Sequence, residues 1–235
     1  MFMKAENQIF AEFIVPAAIA VTCGIASEKL FENSVSWIMR CRSYEGGFGG
    51  EPNCEAHGGY TLCGVAALSL LGQRNQLDDE ALLRWLVMRQ MAYEGGFQGR
   101  TGKLVDACYS YWQTASFFVA EAEIQREWGL SINNSLFNGE ALQKFLLGAS
   151  QRFKGGGFCD KPERYPDLYH TCYALGGLAL AQMRADSPHL CIGGSETLLR
   201  PINHLLNVCE EEAKKAFDYF TNNPPCLVDL SDKKN

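Results

Sequence analysis

The sequence predicts an all-α protein, an α/α toroid built from helical hairpins, and three observations lead to this fold class. A glycine-rich motif centred on a phenylalanine occurs three times, with Phe48, Phe97 and Phe158 separated by 49 and 61 residues, a spacing typical of helical repeats. An amphipathic run precedes each motif, and a run that is apolar on nearly every side follows it. Because the first pattern leaves one helix face in water and the second requires burial, the unit is an outer helix, a glycine turn and an inner helix.

The elements follow one another in the same order in each repeat. The amphipathic runs are VSWIMRC, LLRWLVMRQ and LQKFLLGAS. Glycine ends the first helix and permits a tight reversal in the motifs YEGGFGG (44–50), YEGGFQG (93–99) and KGGGFCD (154–160). The buried runs are TLCGVAALSLL, CYSYWQTASFFVA and TCYALGGLALA. Since no segment shows sustained strand alternation, we expect one domain over 1–235, with repeats near 30–72, 80–122 and 140–183.

Segments outside the repeats are predicted from their composition. Residues 13–26, FIVPAAIAVTCGIA, are apolar but contain Pro16 and are too short to span a bilayer, so we expect a buried helix rather than a signal sequence. Residues 186–196 are expected to form a loop. Residues 205–216, LLNVCEEEAKKA, are expected to form an exposed helix, which NNPPC ends.

Composition narrows the classes of function. The chain has 21 basic and 27 acidic residues, a net charge of −6, whereas nucleic-acid-binding proteins usually have a basic excess. Its ten cysteines are scattered and no clean secretory signal precedes them, which favours reduced thiols inside the cell. We therefore expect a cytoplasmic protein with no nucleic-acid partner and no membrane span.

Residues with chemical capability follow each glycine motif at similar offsets. His57 and Asp106 each lie nine residues after the motif phenylalanine, and His170 lies twelve residues after it. In a toroid, such offsets bring these side chains to one rim, at the starts of the inner helices. Helix N-termini carry partial positive charge and free N–H groups, so this rim suits an anion.

Asp106, Cys108 and His170 form a candidate zinc set with one carboxylate, one thiol and one imidazole. A catalytic zinc site uses three protein ligands and keeps a fourth position open. Taken alone, the same residues also fit a helix N-cap, a small buried hydrophobe and a core histidine. The pattern alone leaves both interpretations open.

Cations and aromatic residues accompany this set. His57, Arg100, Lys103 and Tyr109 form a candidate anion cradle, because arginine offers a fixed fork for phosphate oxygens and lysine a mobile charge; the alternative is a solvated basic loop. Apolar residues of the same rim would line a tunnel or simply pack the inner helices: Tyr60, Cys63, Tyr109, Tyr111 and Trp112. Together these features indicate transfer of a hydrophobic group from a diphosphate to a metal-activated nucleophile.

Five stretches of the sequence resemble the beta subunits of protein farnesyltransferase. They are YEGGFGG, EAHGGYTLCG, MRQMAYEGGFQGR, KLVDACYSYW and DKPERYPDLYHTCYALGGLALAQ, within a match from about residue 30 to about residue 183. The resemblance implies an α/α barrel with Asp106, Cys108 and His170 as zinc ligands. It assigns Asp160 to magnesium and Tyr169 to the peptide-facing part of the site. It implies farnesyl diphosphate binding by His57, Gly58, Gly59, Tyr60, Arg100, Lys103, Tyr109 and Trp112.

The same resemblance implies an activity and a partner. The family, as a heterodimer with an alpha subunit, attaches farnesyl to the cysteine of a C-terminal C-a-a-X motif. EAHGGYTLCG and Asp160 favour the farnesyl enzyme over the type I geranylgeranyl enzyme, which tends to read ESHGGSTFCG and has a lysine at that position. It is also favoured over the Rab-directed enzyme, which reads ESHAGQ. The chain resembles the second half of the family's longer subunits, which suggests a shortened form.

Three alternatives stay open on the sequence. One is a truncated, non-catalytic chain that binds zinc or the alpha subunit. Another is a geranylgeranyl-transferring relative. The third is an unrelated α/α toroid used for binding, which predicts no stoichiometric zinc.

Overall fold

A computed structural model of the chain describes residues 14–76, 79–129, 135–183 and 191–225. Within these ranges the backbone forms eight α-helices and one short β-hairpin. The helices are α1 Val15–Thr22, α2 Ser34–Arg40, α3 Gly58–Leu70, α4 Asp79–Val87, α5 Tyr109–Trp128, α6 Gly139–Phe145, α7 Leu168–Met183 and α8 Glu210–Asn222. A π-helical turn, Leu146–Ser150, continues α6, and the hairpin strands are β1 Ile202–Asn203 and β2 Val208–Cys209.

The helices form two layers, as the alternation of amphipathic and apolar runs predicts. The inner helices α1, α3, α5 and α7 pack in a row, each against the next. The outer helices α2, α4 and α6 each pack on the inner helix that follows them in the chain. The predicted all-α toroid architecture is confirmed, and the starts of α3, α5 and α7 lie on the same side of the layer, where their residues line one cavity.

The glycine motifs form the connections between outer and inner helices. Their phenylalanines, Phe48, Phe97 and Phe158, are buried, and truncating a buried phenylalanine to alanine typically costs about 3–5 kcal/mol. Gly46 lies at a φ of +109°, and a Cβ there would be 2.1 Å from the carbonyl oxygen of Ala81. Only glycine therefore allows the first turn to pack on the outer helix of the next repeat.

The C-terminal hairpin lies across the inner helices. Tyr111 of α5 donates its hydroxyl to the carbonyl of His204 at 2.8 Å, and the His204 ring contacts Phe118 with centroids 5.6 Å apart. The second strand leads into α8, which packs on α1. The helix expected over 205–216 therefore begins at Glu210, because residues 205–209 form the turn and second strand of the hairpin.

The first described helix matches the expectation for residues 13–26 in part. Pro16 lies in its first turn, where proline has no helical hydrogen bond to lose. Ala17 and Ala20 are buried, whereas Ile19 is 55% exposed. Residue 13 lies outside the described ranges, as do 186–190 of the expected loop. No helix within the described residues combines the length and the apolar composition that crossing a bilayer requires.

Candidate active site

The inner helices α3, α5 and α7 begin in the same way. The residue nine positions after each motif phenylalanine donates its N–H to the carbonyl of that phenylalanine, at 2.9 Å for His57, 3.2 Å for Asp106 and 3.3 Å for Asp167. Each of these side chains then accepts an N–H from the first turn that follows, at 3.2, 3.0 and 2.7 Å. The third equivalent position is therefore Asp167, and His170 lies one helical turn further along α7.

The candidate zinc ligands meet at this rim. One ligand atom from each of Asp106, Cys108 and His170 lies within 4.8 Å of the others. His170 Nε2 is 3.3 Å from Asp106 Oδ1. Tetrahedral zinc with ligand bonds of about 2.0–2.3 Å places its ligand atoms about 3–4 Å apart. Small side-chain adjustments would therefore bring the three donors to a zinc ion, and the donor set fits that metal.

Asp167 fixes the orientation of the His170 ring. Its Oδ2 is 2.7 Å from His170 Nδ1, so Nδ1–H donates to the carboxylate and Nε2 points towards Asp106. Burial opposes charge on the imidazole, but the bonds with Asp106 and Asp167 outweigh it and raise the pKa of His170 to about 9. Although burial favours the neutral acid, bonds from His170 and Cys108 hold the pKa of Asp106 below its usual value.

Asp160 reaches the edge of this cluster through Lys161. The Lys161 ammonium pairs with Asp160 and lies 3.7 Å from Asp106 Oδ2. The backbone carbonyl of Asp160 also accepts the N–H of Ala107 at 2.8 Å. Asp160 therefore lies beside the start of α5, but it does not line the cavity described below.

His57 and Tyr109 form the second polar pair of the rim. Their Nε2 and hydroxyl oxygen are 2.9 Å apart. Because Nδ1 accepts the Gly59 N–H at 3.2 Å, the neutral ring carries its proton on Nε2 and donates it to Tyr109. Burial first, and then the charge of Arg100, lower the pKa of His57 to about 4, against a smaller opposing effect of Glu55.

Close backbone packing places Tyr109 within reach of His57. The Gly58 N–H donates to the Gly99 carbonyl at 2.7 Å. A Cβ on Gly99 would be 2.3 Å from the Tyr109 hydroxyl oxygen, so any larger residue would displace the tyrosine. Glycine at position 99 therefore leaves the space that the Tyr109 ring occupies beside His57.

Arg100 and Lys103 lie on an exposed turn outside this pair. Arg100 Nη1 is 3.1 Å from Glu55 Oε2, and both side chains are 45% exposed. Lys103 is exposed, and its carbonyl accepts a hydrogen bond from Gln98 Nε2. Neither cation lines the cavity, so the structure places them at its margin rather than inside it.

A cavity of about 850 Å³ joins the two polar groups. Most of the predicted rim residues line it: His57, Gly59, Tyr60, Cys63, Asp106, Cys108, Tyr109, Trp112, Tyr169 and His170. Tyr111 is buried behind this wall, where its ring contacts those of Trp112 and Tyr173. Tyr169 is half exposed and packs on His170, which places its ring beside the metal candidates.

Sequence reasoning missed three residues of this site. Asp167 follows Phe158 by nine residues, the offset of His57 and Asp106, so the repeat itself could have identified it. Tyr173 lies one turn after Tyr169 and packs on Trp112 with ring centroids 4.3 Å apart. Glu55, the ion-pair partner of Arg100, had no signal in the sequence because the two residues are 45 positions apart.

Comparison with known proteins decides the family. Residues 12–208 match the sequence family described as the Prenyltransferase alpha-alpha toroid domain. The chain belongs to the prenyltransferase family. Among prenyltransferases, it is 37% identical to protein farnesyltransferase subunit beta of Pisum sativum, over 87% of this chain and 63% of that protein. It is 40% identical to the same subunit of Schizosaccharomyces pombe, over 74% of this chain and 44% of that protein.

Geranylgeranyl-transferring prenyltransferases are also similar. The type-1 subunit beta of Arabidopsis thaliana is 36% identical over 68% of this chain and 42% of its own length. The solved structure of Candida albicans protein geranylgeranyltransferase-I complexed with GGPP matches 88% of this chain and 56% of that one, with a TM-score of 0.65 and 24% identity. The resemblance to farnesyltransferase beta subunits is confirmed, and the chain spans about half the length of these relatives.

Proposed function

We propose that the chain is the beta subunit of a zinc-dependent prenyltransferase that moves farnesyl from farnesyl diphosphate to the thiol of a C-terminal C-a-a-X cysteine. One observation carries this proposal: the Asp106–Cys108–His170 cluster and the His57–Tyr109 pair line the same aromatic-walled cavity. Such a cavity can receive a thiol, a diphosphate and an apolar chain side by side. The similarity to farnesyltransferase beta subunits supports farnesyl as the group transferred.

Asp106, Cys108 and His170 would hold the zinc ion. When bound, zinc would lower the pKa of the substrate thiol and so supply a thiolate at neutral pH. Asp167 would keep His170 Nε2 directed at the metal, the usual role of a carboxylate behind a metal-binding histidine.

The anion cradle would act on the leaving group. As the cysteine sulfur forms a bond to C1 of the isoprenoid, the bond between C1 and the diphosphate oxygen breaks, and negative charge grows on the departing diphosphate. The Tyr109 hydroxyl accepts a hydrogen bond from His57, and a hydroxyl that accepts one bond can still donate another. Arg100 and Lys103, at the margin of the cavity, would add positive charge that stabilises the departing diphosphate.

The other residues predicted from the sequence are assigned to farnesyl diphosphate, to the peptide and to magnesium. Gly58, Gly59, Tyr60 and Trp112 would contact farnesyl diphosphate, and Tyr169 would face the peptide. Asp160 is the candidate for magnesium at the diphosphate, and its present partner is Lys161. We place the protein in the cytoplasm with a farnesyltransferase alpha subunit as its partner.

Two other functions remain in contention. The similarity to type-1 geranylgeranyl transferase beta subunits favours geranylgeranyl as the alternative group. A non-catalytic chain that binds zinc or the alpha subunit is the second alternative, since the relatives have about twice the matched length.

One experiment separates these functions. The chain is co-expressed with a farnesyltransferase alpha subunit, and zinc content and prenyl transfer to a C-a-a-X peptide are measured with farnesyl and geranylgeranyl diphosphate. We expect about one zinc per chain, farnesyl transfer, and loss of both in Cys108→Ala. Cys54→Ala, which changes an exposed thiol, serves as the control and should retain both.

The outcomes are distinct. Preference for geranylgeranyl diphosphate would support the relative, and zinc binding without transfer of either group would support the non-catalytic chain. Full zinc content in Cys108→Ala would reject the proposed ligand set.

A further inference from the structure

Arg100, a proposed diphosphate ligand, is held by an acid at the margin of the cavity. Its Nη1 is 3.1 Å from Glu55 Oε2, and Glu55 lies two residues before His57 in the segment that leads into α3. Isolated surface ion pairs often have no effect on stability or function. The surroundings of this pair distinguish it from such an isolated contact.

A second acid ties together the two segments that carry the pair. Glu45 accepts the Ala56 N–H on Oε2 at 3.1 Å and the Thr101 hydroxyl on Oε1 at 3.4 Å. Ala56 and Thr101 directly follow Glu55 and Arg100, so one carboxylate contacts both segments, the first through a backbone N–H and the second through a side-chain hydroxyl. The Glu55 and Arg100 side chains are therefore brought together by a defined framework rather than by two mobile loops.

A buried arginine supports this framework from behind. Arg89, at 6% exposure, lies 5.3 Å above the Trp85 ring and donates Nη1–H to the Thr101 hydroxyl at 2.8 Å. Burial lowers the pKa of Arg89, while Glu45 and Glu55 raise it. Two guanidinium groups and two carboxylates thus balance one another in this framework.

We propose that Glu55 is a positioning residue that competes with diphosphate for Arg100. Glu55 holds the guanidinium at the margin of the cavity; when diphosphate binds, its oxygens replace the Glu55 carboxylate on the same fork. This inference rests on the proposed function. Glu55 therefore weakens diphosphate binding, and it recaptures Arg100 when the diphosphate product leaves.

The test measures inorganic diphosphate binding to the full 235-residue chain by calorimetry at fixed low ionic strength. Glu55→Gln should bind diphosphate about threefold to fivefold more tightly, the range that an exposed ion pair supports. Glu51→Gln removes the same charge from the same loop, where the side chain contacts Cys54 instead, and should leave the affinity within about twofold of wild type.

A double-mutant cycle assigns the effect to the pair. Arg100→Gln should weaken binding, and adding Glu55→Gln to it should change nothing further. Unchanged or weaker binding by Glu55→Gln, with wild-type binding intact, would overturn the competition. Equal tightening by Glu51→Gln would overturn it as well, since the effect would then be general charge. Absence of diphosphate binding in wild type would overturn the proposed function itself.

Discussion

His57 and His170 occupy the same rim, yet their surroundings give them opposite charge states. His57 is hydrogen-bonded to the Tyr109 hydroxyl, and burial first, then the charge of Arg100, lower the pKa of its imidazole to about 4. His170 lies between two carboxylates, which raise its pKa to about 9. Both rings lie at the N-terminal ends of inner helices, so helix geometry alone does not account for the difference.

The difference arises from which side chains the neighbouring repeats contribute. His57 occupies the capping position of its repeat and faces Tyr109 of the next. His170 has Asp167 at the capping position of its own repeat and Asp106 from the preceding one. A repeated backbone thus supplies two distinct environments, a neutral imidazole beside a tyrosine and an imidazole between two carboxylates, which suit the roles proposed for them at an anion and at a metal.

The largest expected effect comes from removing each histidine in turn. His170→Ala should reduce zinc content from about one per chain to near zero, because one of the three proposed protein ligands is lost. His57→Ala should keep the zinc and weaken diphosphate binding. Elemental analysis of the two variants checks this contrast. Equal zinc loss in both would show that the two histidines do not divide the functions.

A smaller effect is expected from Asp167→Asn, which keeps the shape of the side chain but removes its charge. The variant should bind zinc about 10- to 100-fold more weakly, the usual effect of losing a carboxylate behind a histidine ligand. Competition with a chromophoric zinc chelator measures the affinity. Glu163→Gln, an exposed acid in the same loop, is the matched control; a similar loss there would point to general charge instead of ring orientation.

The smallest effect concerns the acid sensitivity of folding. In the folded chain His57 has a pKa of about 4, below the ordinary value of 6.5. Its contribution to the free energy of unfolding is therefore fully present above pH 6.5. This stability is lost as the pH falls towards 4. Between about pH 7 and pH 5, wild type should lose about 1–2 kcal/mol more unfolding free energy than His57→Gln. Urea denaturation at both pH values measures it, and parallel losses would refute the depressed pKa.

The sequence predicts the fold because the repeat signal is redundant. Each hairpin carries its own amphipathic run, glycine turn and apolar run, and stacking requires only that these patterns recur. The hairpin over 202–209 escaped prediction, since its two-residue strands are too short to show alternation. Its position depends instead on contacts with α5, such as Tyr111 with His204, that no local pattern contains.

The site residues that could be predicted are those at the same distance in sequence from the motif phenylalanine of each repeat. His57 and Asp106 share an offset of nine residues, and their meeting at one rim follows from the helical stacking. Ion pairs between repeats could not be predicted in this way, because the contact between Glu55 and Arg100 depends on the geometry of two loops. The assignment of zinc, magnesium and diphosphate to particular residues still rests on resemblance and stays a prediction.

The bond between Tyr111 and His204 joins positions 93 residues apart in the chain. Most other contacts in the stacked repeats join neighbouring hairpins, and contacts of short sequence separation form early because they close small loops. The hairpin over 202–209 should therefore dock after the inner helices have assembled. Contacts formed after the transition state govern the unfolding rate rather than the folding rate. We therefore expect Tyr111→Phe to speed unfolding and to leave the folding rate unchanged, which stopped-flow measurements of both rates would check.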